Sequence, residues 1–363
     1  MDIPKAESEK SIRGSREAFT EDLETNIQLI TKRITDVHLQ KQELVSGRRT
    51  RTRIVLFYIK GVADERIAKR VRDSIEKIDR DEVMDVGVVE QLIRETVWTP
   101  FPLCQATERP DRTCQGLLEG RVAVLAEHSP DALLYPVTMH SLFQTSDDYY
   151  RNFFIVSFLR MIRYLAAILA VSLPAFYVAA ASFHTQILPT KLVLMMAKAR
   201  EGVPFPCWLE VLLMELAFEL IREAGLRMPG AIGNTIGIVG GLIVGQAAVS
   251  ANLVSPMTVV VVAVTALGSF SVTNEEFSEA LRLTKYGFLL LGATVGLFGI
   301  SLAWYLLILH LSELTSLGIP FLYPFVGAEV NQDADLADGI FRAPLRWMKK
   351  RPVYANKKNR HRM

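Results

Sequence analysis

Residues 153–311 constrain this chain more than any other stretch. They are mostly Leu, Ile, Val, Ala, Phe and Gly, yet carboxylates are set among them. The segment 208–222 is apolar enough to enter a bilayer but holds Glu210, Glu215, Glu219 and Arg222. An ionised side chain at the bilayer centre costs about 2.5–3.5 kcal/mol even on lenient insertion scales. Several together must face protein, water or one another. The block therefore reads as a membrane domain with a polar interior.

The rest of the chain is different in kind. Residues 1–152 are densely charged and contain no apolar run long enough to span, and the chain from 312 onward is polar and basic. These shifts give a domain reading of 1–150 cytosolic, 151–315 membrane and 316–363 basic cytosolic tail. No basic patch with interleaved aromatics marks a nucleic-acid partner. The N-terminus lacks the basic-then-apolar pattern of a signal peptide, so the first domain is expected to stay cytosolic. Cys104, Cys114 and Cys207 are too few and scattered for a disulfide framework or zinc site, and read as small buried hydrophobes.

Within the first domain, Phe19, Leu23, Ile27, Ile30 and Ile34 recur at helical intervals, predicting a helix over 16–45 with Thr20, Glu21 and Asp22 at its start. Residues 52–59 predict a strand, and 64–78 an amphipathic helix with Ile67, Val71, Ile75 and Ile78 on one face. Residues 121–126 and 132–136 predict a hairpin. The fold class is thus an α/β cytosolic N-terminal domain followed by an all-α polytopic membrane domain. The latter should hold about four to six membrane helices, some short or re-entrant.

The expected spans are 153–183, 208–222, 230–254, 258–272 and 288–311, with a short helix at 187–199. Arg160 and Arg163 share a face and are expected to snorkel to headgroups, and Pro174 to kink the first span. The basic tail and the leaderless first domain both belong inside. That requires an even number of crossings, so residues 187–222 are read as a re-entrant or partial pair.

On a helix, Glu215, Glu219 and Arg222 form one stripe, with Glu210 nearly opposite, and Arg222 can pair with Glu219. The stripe suits either a polar lining for an ion or proton path or a packing salt bridge. The glycine-rich stretch 233–250 suits either close helix packing or a pore-lining helix. Its glycines are no dinucleotide fingerprint, because no βα unit precedes them. Neither a nucleophile elbow, a phosphate loop nor a His-x-x-x-His pair occurs, so no enzyme, cofactor or metal is expected.

Several stretches carry a specific resemblance. They are Arg13-Gly-Ser-Arg-Glu-Ala-Phe-Thr-Glu21 with Asn26 and Leu29-Ile-Thr-Lys-Arg33, then Glu108-Arg-Pro-Asp111, Gly120-Arg-Val-Ala-Val124 and Asp148-Tyr-Tyr150. Leu188-Pro-Thr190, Val203-Pro-Phe-Pro206, Phe218-Glu-Leu-Ile-Arg-Glu-Ala-Gly225, residues 238–249 and Ser255-Pro256 follow in the apolar block. In order, these resemble the GerA family of spore germination proteins, meaning A-type subunits of nutrient germinant receptors and their SpoVA-associated relatives. Ser15 and Ala18 stand where the family usually has proline and glycine. The chain also begins just upstream of the opening motif, so the resemblance implies either a short-form paralogue or a truncated gene model, without the first part of the family's two-lobed cytosolic domain.

The resemblance implies a multi-pass protein of the spore inner membrane or cell membrane, with both termini cytosolic. It implies B-type and C-type receptor subunits as partners, the B-type binding the nutrient and the C-type being a lipoprotein. It further implies a homo-oligomeric ring forming a ligand-gated cation channel. Within such a ring Val239, Ile243 and Gln246 are assigned to the pore from their spacing on one helix face. Two alternatives stay open: a secondary transporter, suggested by charged and broken helices, and a non-conducting scaffold.

Overall fold

The run Thr52–Ile59 is apolar at both parities of the strand, which demands cover on both of its faces. In the computed structural model it lies inside a five-stranded sheet. The structure describes residues 6, 9, 13–227, 231–326, 338–356, 359 and 361, without the side chains of 231–239 and 242. The strands are β1 (Leu39–Ser46), β2 (Thr52–Ile59), β3 (Gln105–Thr107), β4 (Val122–Ala126) and β5 (Ala132–Tyr135), with a small pair β6 (Thr315–Ser316) and β7 (Ile319–Pro320). The sheet runs in the order β1-β2-β4-β5-β3 with every pairing antiparallel.

Helices α1 (Leu23–Arg33), α2 (Glu65–Glu76), α3 (Val86–Ile93) and α4 (Pro110–Glu119) cover the sheet. Ile54 and Leu56 of β2 and Val122 and Val124 of β4 pack with Ile67, Val71, Ile75 and Val89 of α2 and α3. The alternate residues Val55, Phe57, Ala123 and Leu125 pack with Leu23, Ile27, Ile30 and Leu117 of α1 and α4. Strand parity therefore sorts the side chains into two cores.

The single helix expected over 16–45 is instead α1 followed by the edge strand β1. Asp22 caps α1 by accepting the Thr25 N–H at 2.9 Å, while Thr20 bonds Asn26. In β1 the half-buried Gln40, Gln42 and Leu44 alternate with exposed Lys41, Glu43 and Val45. Full-length pairing with β2 overrides the helix propensity of Lys, Gln and Glu.

Two short helices, α5 (Met139–Leu142) and α6 (Asp147–Tyr150), lead to α7 (Phe153–Ser182). The chain divides into two compact units, residues 1–162 with 309–363, and residues 163–308. The described C-terminal segment is an integral part of the first unit. Tyr354 sits in its core and accepts a 3.0 Å hydrogen bond from Arg121, and Ser316 Oγ donates to the Leu103 carbonyl at 2.7 Å.

The second unit is helical: the continuation of α7, then α8 (Thr190–Ala199), α9 (Cys207–Arg227), α10 (Ala231–Ser250), α11 (Pro256–Phe270), α12 (Glu275–Val295) and the start of α13 (Leu297–Glu313). Ser255 and Asn274 cap α11 and α12 through the Thr258 and Phe277 amides. Pro174 lies within α7 without ending it. The single span expected at 288–311 is two helices, because Gly296 takes a left-handed φ of +69°. Close approach explains two other glycines. A Cβ on Gly268 would stand 2.8 Å from the Ala166 carbonyl oxygen, and one on Gly292 would stand 3.0 Å from that of Ala175. Both glycines thus let helices press onto α7. Among the described residues, α7 is the one helix long and apolar enough by itself to cross a membrane, while α11 and α13 are apolar but shorter.

Candidate functional site

The acidic face of α9 meets the basic face of α12. Glu215 and Lys285 are both buried, and the Lys285 ammonium donates to Glu215 Oε2 at 2.5 Å and to Glu219 Oε1 at 3.2 Å. Arg282, one turn earlier on α12, lies 3.6 Å from Glu219. Arg222 reaches Glu275 at 3.6 Å and lies over the Phe270 ring. As the α9 position advances its α12 partner recedes, so the two helices run antiparallel with matched charges facing. The expected pairing of Arg222 with Glu219 does not form. Lys285 and Arg282 occupy Glu219 from across the interface, and Arg222 turns to the first turn of α12.

Charge burial of this kind is self-consistent only as a set. Removing one member of a buried pair leaves the other desolvated and unmatched. Lys285 bonds two carboxylates at once and Arg282 supplies the second cation at Glu219, while Glu215 Oε1 has no hydrogen-bond partner. The ladder is thus a compact row of fixed charge inside a helical unit.

Glu210 does separate work, as its opposite position on α9 requires. It is fully buried and accepts from the Ser255 N–H at 2.9 Å, Thr258 Oγ1 at 3.1 Å and Arg200 Nε at 3.1 Å. A carboxylate here faces the first turn of α11, where unpaired amides and the helix dipole favour negative charge.

The candidate pore residues are not part of either cluster. On α10, Cβ positions of Gly240 and Gly245 point at Ile221 and Val259, both at 3.5 Å. Ile243 is 57% exposed and Gln246 is also exposed. The Val239 side chain lies outside the described residues.

In the first unit Arg160 is wholly buried rather than snorkelling. Its Nε donates to Asp148 at 3.0 Å and its Nη1 to Asp338 at 2.9 Å, with a further bond to the Gly339 carbonyl. Arg342 joins the cluster by donating to the Arg151 carbonyl at 3.1 Å. A carboxylate twelve residues upstream and another in the C-terminal segment supply the partners that a helix-only reading lacks. All three cysteines are buried, and burial pushes the Cys114 thiol up to about 12. Among the described residues no three His, Cys, Asp or Glu side chains converge as a metal site.

The sequence signal for Lys285 and Arg282 was available: Glu275, Glu279, Arg282 and Lys285 recur at three- to four-residue spacing beside an apolar run. That is a charged helix stripe of the same kind as the one on α9.

Comparison with known proteins gives the chain's relatives. The family described as "Bacillus/Clostridium GerA spore germination protein" matches residues 1–354. Spore germination protein KA of Bacillus subtilis (strain 168) is 39% identical over 358 residues, covering 99% of this chain and 65% of that protein. Spore germination protein GerLA of Bacillus cereus is 40% identical over 352 residues, covering 97% of this chain and 71% of that protein. Uncharacterized membrane protein YfkQ of Bacillus subtilis (strain 168) is 39% identical over 348 residues, covering 95% and 67%. A crystal structure of the N-terminal domain of the A subunit of the Bacillus megaterium spore germinant receptor GerK3 is 38% identical. It covers 32% of this chain and 93% of that one, with a TM-score of 0.27. The chain therefore spans 65% to 71% of these full-length relatives. It belongs to the GerA family of spore germination proteins.

Proposed function

We propose that this chain is an A-type membrane subunit of a nutrient germinant receptor and that copies of it assemble into a ligand-gated cation channel. The observation that carries this reading is the buried ladder of Glu215, Lys285 and Glu219 between α9 and α12. Residues 1–150 and 316–363 are assigned to the cytosol and 151–315 to the membrane. At 1.5 Å per residue, residues 163–182 of α7 run about 30 Å, the thickness of the hydrocarbon core. Helices with charged stripes are acceptable beside it because their charges face one another.

In this arrangement the Lys285 ammonium bonds both carboxylates, and Arg282 beside Glu219 supplies the second positive charge. Displacing it would free Glu215 and Glu219 to hold a mobile cation in its place. The exposed Ile243 and Gln246 on α10, with Val239 on the same face, are assigned to the conducting path of the ring. A B-type subunit is assigned the nutrient and a C-type lipoprotein completes the complex, in the spore inner membrane with both termini cytosolic.

The test is cation flux through the chain reconstituted with B-type and C-type partners. Nutrient-dependent, non-saturating cation current supports the channel. Saturable, gradient-coupled uptake without current would make it a transporter, and intact assembly without flux of any kind a scaffold.

A further inference from the structure

We infer that two exposed patches of the first unit, residues 341–350 and 97–98, rest on an anionic phospholipid headgroup layer and hold that unit on the bilayer surface. The inference builds on the membrane placement proposed above. In the first patch Phe341, Leu345 and Trp347 are exposed, Trp347 at 77%, beside exposed Arg346, Lys349 and Lys350. The basic segment thus does carry interleaved aromatics, contrary to the expectation from sequence, because the fold leaves Phe341 and Trp347 on the surface beside the cations. This mixture matches the polar–apolar boundary of a bilayer, where the rings enter the interface while the cations meet lipid phosphates. The patch is fixed to the first turns of α7. The Arg342 N–H donates to Ser157 Oγ at 3.1 Å, Ser157 Oγ donates back to the Arg342 carbonyl at 3.3 Å, and the Arg342 guanidinium donates to the Asp148 and Arg151 carbonyls.

Ser157 lies in the opening turns of the apolar span, which begins at Phe153. The patch therefore stands at the start of that span, where the polar layer outside the hydrocarbon is about 5–8 Å thick. The second patch is tied to the other helix shared by the two units. Thr99 Oγ1 is 2.9 Å from His310 Nε2 on α13, and Phe101 packs on the same imidazole. This leaves Val97 72% and Trp98 94% exposed next to that helix end. Tryptophan is the side chain most suited to this boundary, with an apolar body and an indole N–H for the wet side.

The test uses the full chain in nanodiscs of phosphatidylcholine, with and without phosphatidylglycerol, and lipids brominated near the carbonyl end of the acyl chain. Three single-tryptophan variants keep Trp98, Trp347 or Trp304, the others being replaced by Phe. Trp304, on α13, reports whether the helical unit is in the bilayer. The expected result is loss of Trp98 and Trp347 emission to the brominated lipid. The Trp347 loss should deepen with phosphatidylglycerol and diminish when Arg346, Lys349 and Lys350 are changed to Gln. Quenching of Trp304 with neither Trp98 nor Trp347 quenched would overturn the inference, leaving the patches to water or a protein partner. Absence of quenching at Trp304 would remove the membrane placement itself.

Discussion

Lys285 and Glu215 form a buried ion pair at 2.5 Å that joins two helices seventy positions apart in sequence. The pair is one rung of a ladder in which Glu219 shares the same ammonium. Lys285→Met would strand the buried Glu215 carboxylate, leaving Glu219 to Arg282, and should cost about 3–5 kcal/mol. The double variant Lys285→Met/Glu215→Leu should recover part of that loss, since it removes the unmatched charge. Thermal unfolding in detergent checks both, and a single variant as stable as the parent chain would refute the coupling.

Glu210→Ala should loosen the start of α11, because Ser255 N–H and Thr258 Oγ1 both lose their acceptor. Two buried hydrogen bonds to a charged group predict a loss of about 1–3 kcal/mol each in the limit of no rearrangement. Glu210→Gln keeps an acceptor and should lose less. Hydrogen exchange at residues 255–259 reads the effect locally.

Gly268→Val should separate α11 from α7, since even a Cβ would meet the Ala166 carbonyl oxygen at 2.8 Å. Gly287→Ala, on α12 with open space around its Cβ, should be neutral or slightly stabilising. Comparable melting temperatures for the two variants would contradict the close-approach account.

Acid should weaken the first unit through His140. Burial, first of all, with help from Arg121 and Arg160 and against the pull of Asp338, holds its imidazole down to about 4. The unfolded chain takes up the proton nearer the ordinary 6.5. The neutral imidazole therefore contributes full stability above about pH 6.5, lost progressively as pH falls toward 4, by roughly 3 kcal/mol in all. His140→Phe should flatten the stability profile between those limits in a pH series of denaturant melts.

Legibility in the sequence followed the range of the interactions. The strand at Thr52–Ile59 was readable because six of its eight residues are β-branched or aromatic. The edge strand Leu39–Ser46 was not, because Lys41, Gln42 and Glu43 favour helix until β2 pairs with them. Glu215 and Glu219 stood out within one segment, but their partners lie about seventy residues on, and a local reading paired Glu219 with Arg222. Arg160 was misplaced for the same reason, its second carboxylate being Asp338. Gly296 looked like one more small residue on a helix face, and only its left-handed φ shows a break. Family membership was legible, since it rests on ordered local motifs that need no pairing partner.

In the proposed channel the α9–α12 charges serve conduction as well as packing. The most direct measurement is nutrient-evoked cation current in proteoliposomes holding the chain with the B-type and C-type subunits proposed as its partners, comparing the parent chain with Glu215→Gln and Glu219→Gln. The account predicts lower current or altered selectivity among monovalent cations in variants that still assemble. Unchanged current and selectivity in fully assembled variants would contradict it and leave the ladder a packing device.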